Sequence, residues 1–285
     1  MINGEWILNP ANVKEAFLQY YKDKFQAYVP QVNYTSHSSF ASLSMAERID
    51  LEKSVSSVEI RKAVWDCGSD KSPGPDGFTF LFLKRYWDIF KSDVEFFVSE
   101  FFSSSKMPPG TNSSFITLIP KVCNPSSVKD YRPISLIGLH YKIIAKNLAN
   151  RLASVIGNLK YLDYILLQCG FGEKWRSWIS ECLKSARTSI LINGSPTSEF
   201  SLIRGLRQGD PLSPFLFILI MEGLHIALKD ALYINLIRGV QVGNPSIRVS
   251  HFFYVDDVVL VTEWNQVQMD NILCDLNVFF LASTH

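Results

Sequence analysis

The chain has 285 residues, of which 47% are apolar and 19% charged, and its formal net charge is +1. This is the composition of a globular protein. It excludes disordered and collagen-like chains, and the length allows one large domain or two small ones with a real core. No apolar run reaches the ~18 residues of a membrane span. The N-terminus lacks a basic-then-apolar leader layout, so an intracellular, non-secreted protein with no membrane partner is expected, nucleus and cytoplasm both open. Cys67, Cys123, Cys169, Cys182 and Cys274 form no Cys-x-x-Cys pair and sit with no histidine at finger spacing, so reduced thiols are expected.

In chain order, residues 13–25 have helical spacing, and residues 34–44 are rich in Ser, Thr and His and read as a linker. Ser56-x-x-Glu59 has the form of a capping box, which predicts a helix from there to about Cys67. Lys71 to Gly77 holds two prolines and two glycines in seven residues, so a shaped loop interrupts the helical pattern. Helical character returns over 78–104. Phe115 to Pro120 and Tyr131 to Ile137 are predicted strands of a small ribbon carrying Lys121 and Arg132. Residues 139–156 read as a helix with Lys142, Lys146 and Arg151 on one side and apolar residues on the other.

Runs 187–193 and 197–203, around Gly194-Ser195-Pro196, predict a hairpin, and residues 212–232 a long helix. Residues 247–255 and 258–262 read as the arms of a second hairpin with two acids at its turn, before a final helix over 266–281. Between Lys106 and Lys160, eight Lys and Arg residues face Asp130 alone, a local balance of +7. Such a stretch is either a phosphate-facing surface or a solvated helix face with acids elsewhere in the fold.

Asp256 and Asp257 sit among Tyr254, Val255, Val258, Val259, Leu260 and Val261. Adjacent carboxylates in an apolar hairpin repel and lose hydration, a cost that a cation would relieve. Mg²⁺ takes oxygen ligands, and nucleotidyl transfer uses two such ions ~3.5–4 Å apart. An exposed Asp-Asp turn is the simpler alternative. The string Arg204-Gly205-Leu206-Arg207-Gln208-Gly209-Asp210-Pro211-Leu212-Ser213-Pro214 then leads into a helix. Its glycines permit close backbone approach, and Asp210 with Pro211 suits a helix entry.

On these residues the sequence resembles the reverse transcriptases of non-LTR (LINE-type) retrotransposons, especially plant ones. Arg204 to Pro214 is similar to the family's motif B and Tyr254 to Asp257 to its motif C. Lys71 to Gly77, Ile119-Pro120-Lys121 and Tyr131 to Leu136 resemble its finger segments in the same order. The resemblance runs from about Leu51 to Ser283. It implies an α+β, right-hand polymerase fold, with an N-terminal helical and linker segment at 1–50, a fingers-like region at 51–160 and a truncated palm-like region at 161–285. It implies an RNA-directed DNA polymerase whose partners are an RNA template, a DNA primer and dNTP, and whose cofactor is Mg²⁺. Asp256 and Asp257 would be catalytic metal ligands. Lys121, Arg132, Gln208 and Gly209 would bind the nucleotide, and Tyr254, Arg207, Lys142 and Lys146 would face primer and template.

The family also carries a motif A strand, apolar-x-Asp, four residues, then Phe-Asp, before motif B. Between Arg151 and Arg204 the acids are Asp163, Glu173, Glu181 and Glu199, none in that pattern. The expectation is therefore a fingers-and-palm fragment whose palm sheet lacks the motif A strand. The junction falls near Lys160-Tyr161, and polymerase activity is lost. A non-catalytic nucleic-acid-binding remnant and an unstable pseudogene product are the alternatives.

Overall fold

Local capping chemistry sets the first elements of the computed structural model, which describes residues 7–26, 42–155, 166–167, 169–243, 247–254 and 257–283. Helix α1 (Pro10–Gln26) is followed by α2 (Met45–Glu52), a short helix that carries no clear sequence signal. Helix α3 (Ser57–Asp66) starts on the predicted capping box: Ser56 Oγ accepts from Glu59 N–H while the Glu59 carboxylate accepts from Ser56 N–H, and Cys67 is the C-cap. The helical stretch at 78–104 is two helices, α4 (Phe80–Arg85) and α5 (Trp87–Ser104). Tyr86 leaves helical geometry between them, at φ −111° and ψ 26°.

The loop from Lys71 to Gly77 has a packing reason. A Cβ on Gly74 would overlap the backbone of Ile137 and Gly138, so only glycine lets the loop approach so closely. Asp76 then accepts a hydrogen bond from the first N–H of α6 (Leu139–Ala153). That helix begins on Gly138, which has no side chain to cap it; a carboxylate from a distant loop does so instead and favourably meets the helix dipole. The same device recurs at α7 (Glu173–Lys184). Its N-cap is Gly172, and Glu52 accepts from Trp175 N–H at 3.0 Å.

The described residues fall into two compact units. The first comprises those within Met1–Tyr28, Ala46–Ser154 and Gly172–Phe215. Its sheet has the order β2 (Tyr131–Ile137), β1 (Ser113–Pro120), β3 (Arg187–Ile192), β4 (Ser195–Pro196), with β5 (Phe200–Ser201) also paired to β3. Strands β1 and β2 run antiparallel, whereas β1 and β3 run parallel, so the sheet is mixed. The hairpin expected around Gly194 is β3–β4. It turns through Asn193 and Gly194, both at positive φ. Leu18 and Tyr21 of α1 bury against Ile116, Ile190, Phe200 and Leu202. Trp175, Trp178, Phe102 and Phe101 make a run of edge-on ring contacts, and Tyr141 and Leu148 are also fully buried.

Arg151, expected on the basic face of α6, is instead buried. Its guanidinium binds both oxygens of Glu59 (2.9 and 3.2 Å) and the carbonyls of Leu51 (2.9 Å) and Lys53 (2.8 Å), and lies over the Phe102 ring. A charge can be this deep because every N–H group involved finds an acceptor.

The second unit comprises the described residues of Val29–Met45, Val155–Phe171 and Leu216–His285. Helix α8 (Ser213–Tyr233) enters it, and α9 (Gln266–Ser283) closes it. Ribbon β6–β7 (Val240–Gln241, Arg248–Val249) and ribbon β8–β9 (His251–Tyr254, Asp257–Leu260) are both antiparallel. Phe253, Val258 and Leu260 pack toward Leu224, Leu228 and Ile272. Period-two alternation leaves the cross-strand pair Phe252 and Val259 on the exposed face. The fold is thus a mixed α+β arrangement. No described helix is long and apolar enough to cross a membrane.

Candidate active site

The β1–β2 ribbon fixes where its basic residues point. Ile119 pairs with Arg132 and Pro120 with Tyr131. Lys121 follows Ile119 by two residues, so alternation puts Lys121 and Arg132 on one face, and both are exposed. Lys121 N–H donates to Asp130 O at 2.7 Å and its Nζ to Lys129 O at 2.9 Å, which ties it to the turn leading into β2. The N–H groups of Ser127 and Ser126 shape that turn, and they hold the Asp130 carboxyl below the usual carboxylate range.

The loop from Arg204 to Pro214 docks on the same ribbon. Gln208 O accepts from Ser135 N–H of β2 at 2.8 Å. Gly209 adopts φ +104°, and a Cβ there would lie 3.0 Å from Ser135 O and 3.8 Å from Ile134 Cγ2. Ile134 shares its β2 face with Arg132, so Gly209 meets the ribbon on the side that carries the cation. Both Gln208 and Gly209 are exposed.

The arginines of this loop serve the interior. Arg204 Nε donates to Lys24 O (2.7 Å), closing the end of α1. Arg207, expected on the primer–template face, is buried. Its Nη2 meets Asp210 Oδ2 at 2.8 Å, its Nη1 meets Asn112 O at 3.3 Å, and its guanidinium lies 4.3 Å from the Tyr141 ring centroid. Tyr141 Oη donates to the same Asp210 oxygen at 2.8 Å. Burial, and then the neighbouring Asp210 charge, push the Tyr141 hydroxyl well above its ordinary value of 10.0, so it stays a donor. Burial works against the Arg207 charge, but Tyr141 and Asp210 more than offset it. Asp210 also accepts from Leu212 N–H at 2.9 Å, at the entry to α8.

Lys142 and Lys146 are half-buried on α6. Lys142 Nζ reaches toward Ser72 O at 3.4 Å, and burial lowers its pKa below 10.5. In the second unit, Asp257 opens β9 opposite Tyr254; both are exposed, Tyr254 at 78%. Asp256 lies outside the described residues, as do Asp163 and the Lys160-Tyr161 junction. Among the described residues, no three His, Cys, Asp or Glu side chains gather as a cation site. Asp257 alone does not make up the oxygen donor set that Mg²⁺ takes.

A family model described as reverse transcriptase (RNA-dependent DNA polymerase) matches residues 158–283, which include the loop at 204–214 and the β8–β9 hairpin. A protein of transposon TX1 from Xenopus laevis is 26% identical over 264 residues, covering 75% of this chain and 20% of the relative. A Pol polyprotein from the retrotransposable element R2DM of Drosophila melanogaster is 24% identical over 259 residues, covering 73% and 24%. The chain carries a reverse transcriptase domain of the non-LTR retrotransposon type. An uncharacterized mitochondrial protein of Arabidopsis thaliana is 45% identical over 68 residues, 24% of this chain and 56% of the relative. The chain therefore spans between about a fifth and just over half the length of these relatives.

Sequence reasoning missed the contacts that Tyr141, Asn112 and Ser135 make with the loop at 204–214, and the cap that Asp76 gives α6. Tyr141 and Asn112 stand in no charged or glycine-rich pattern that would flag them; Asp76 lies in the proline- and glycine-rich run from Lys71 to Gly77 and Ser135 in the strand from Tyr131, but neither string shows what these residues bond. Their roles arise from contacts 63 to 95 residues away along the chain.

Proposed function

We propose that the chain is the fingers-and-palm part of an RNA-directed DNA polymerase from a non-LTR retroelement, able to engage an RNA template, a DNA primer and dNTP, but without effective nucleotidyl transfer in this form. The observation that carries the reading is the docking of Gln208-Gly209 on the ribbon face that bears Arg132 and Lys121. Exposed cations and an exposed amide there suit a polyanionic nucleotide. By the same family resemblance Lys142 and Lys146 in the first unit, and Tyr254 in the second, would each contact primer or template, whereas Arg207 supports the loop from within.

The loss of activity follows from the palm. Asp256 and Asp257 correspond to motif C, and a facing motif A carboxylate is missing from the sequence between Arg151 and Arg204. The alignments support an absent segment. The Xenopus match runs over 264 residues, yet three quarters of this 285-residue chain is about 214, some 50 fewer. The Drosophila match runs over 259 residues, against about 208 for 73% of the chain. When bound, Mg²⁺ supplies charge neutralisation and activation of the primer hydroxyl; Asp256 and Asp257 are the residues that would hold it, and they are an insufficient set by themselves.

The test is primer extension on an RNA template with Mg²⁺, run beside a binding assay over a salt series. The expected result is binding that weakens with salt and no extension above background. Robust extension abolished by Asp256→Ala would refute the loss of activity, and absence of binding at low salt would refute engagement of nucleic acid.

A further inference from the structure

The motif B loop is held by groups that never reach solvent. Tyr141 Oη and Arg207 Nη2 both donate to Asp210 Oδ2 at 2.8 Å, and Arg207 and Asp210 side chains are each 5% exposed. The Tyr141 ring also lies under the Arg207 guanidinium. Gln208, which sits between Arg207 and Gly209, has its side chain in solvent and its carbonyl on Ser135 N–H. The buried triad therefore fixes the backbone on either side of Gln208, and β2 fixes it in the middle. Without the Tyr141 hydroxyl, Asp210 Oδ2 keeps Arg207 Nη2 but loses its second donor, and a buried carboxylate with fewer donors is relieved by movement of the loop.

We propose that Tyr141 is a positioning residue for the nucleotide side of the domain: through Asp210 and Arg207 it locks the motif B loop so that Gln208 stands on the ribbon face of Arg132. Tyr141 touches no substrate. This rests on the reading that Gln208 lines the nucleotide pocket. It goes beyond that reading because it assigns the geometry of the pocket to a tyrosine on α6, 67 residues upstream of Gln208.

Tyr141→Phe removes the hydroxyl and keeps the ring beneath Arg207. The probe is a labelled DNA primer on an RNA template with the complementary dNTP and Mg²⁺, and the readout is the dNTP concentration that half-saturates retention of the complex. The expected result is an unchanged melting curve with dNTP binding weakened about tenfold, the worth of one hydrogen bond to a charged group. In a Gln208→Ala background, Tyr141→Phe is expected to add nothing, because both changes act at one group. Trypsin cleavage after Arg207 is expected to accelerate relative to cleavage after exposed Lys91, which reads release of the loop directly.

Arg207→Lys, which keeps the charge and loses the fork, is expected to reproduce both effects and serves if Tyr141→Phe melts early. If Gln208→Ala weakens dNTP binding while Tyr141→Phe and Arg207→Lys do not, the positioning role is overturned. An additive loss in the double variant also overturns it. If the wild-type chain shows no dNTP dependence, or Gln208→Ala changes nothing, the pocket reading itself falls and the positioning role with it.

Discussion

Replacing Arg151 by leucine tests how the first unit holds its helices together. The side chain is 6% exposed and makes two hydrogen bonds to Glu59 and one each to Leu51 O and Lys53 O. Removing one partner of a buried ion pair costs about 3–5 kcal/mol. The Glu59 side chain is 28% exposed, so water recovers part of that loss and the lower end applies, roughly 3 kcal/mol. Two stranded carbonyls add about 1 kcal/mol each, and burial of the leucine side chain returns about 1.5 kcal/mol. The net expectation is a loss of about 3–4 kcal/mol. For a unit of this size it corresponds to a fall of roughly 6–16 °C in melting temperature. Tryptophan fluorescence is a suitable probe in urea and thermal unfolding, because Trp178 lies 6.0 Å from the guanidinium. The paired variant Arg151→Leu with Glu59→Met is expected to recover part of the loss, since the carboxylate no longer stands alone, while the Glu59 share of the α3 cap and the donors to the two carbonyls stay lost. A single-variant loss below about 1 kcal/mol would refute the account of Arg151 as a buried hub.

Two further outcomes are expected. In Gly172→Ala the new Cβ overlaps the Glu52 carboxylate and displaces it from Trp175 N–H; a loss of about 1–2 kcal/mol, with faster amide exchange at the start of α7, checks this, and an unchanged melt would refute it. The second concerns acid. Burial raises the Glu59 carboxyl, but hydrogen bonds from Arg151 and Ser56 outweigh burial, so the folded value lies below the ordinary 4.5. A depressed folded value gives stability that is complete above the unfolded value and lost as pH falls through the folded one. The melting temperature should therefore hold as pH falls to about 4.5 and decline below it, and Glu59→Gln should flatten that decline. An identical acid limb in the variant would show that other carboxylates carry it.

Local chemistry was readable wherever it was complete in a few residues. The Ser56–Glu59 box needs three residues of spacing and gave the start of α3. Alternation and β-branching marked β1, β2 and the β8–β9 hairpin, and helical periodicity marked α1, α6, α8 and α9. Motif B and motif C were legible for a related reason: close backbone approach and paired carboxylates require particular residues in a row. Helix α2 and the break at Tyr86 were not legible, because eight residues carry little periodic signal and no proline or glycine marks the break.

The sequence by itself determined the family, the order of the elements and which residues carry charge. It could not decide which charges face water. Arg132 and Arg151 look alike in a one-dimensional reading of a basic stretch, yet one is exposed on a ribbon and the other is sealed beneath Phe102 by Glu59. Arg207 likewise reads as a nucleic-acid contact and folds inward onto Asp210 and Tyr141. The reason is energetic. A buried guanidinium is tolerated only where a carboxylate and further acceptors converge on it. Arg151 draws its carboxylate and carbonyls from residues 92 to 100 positions away, and Arg207, although Asp210 is three residues on, needs Tyr141 and Asn112, 66 and 95 positions away, so tertiary structure chose between solvent and core.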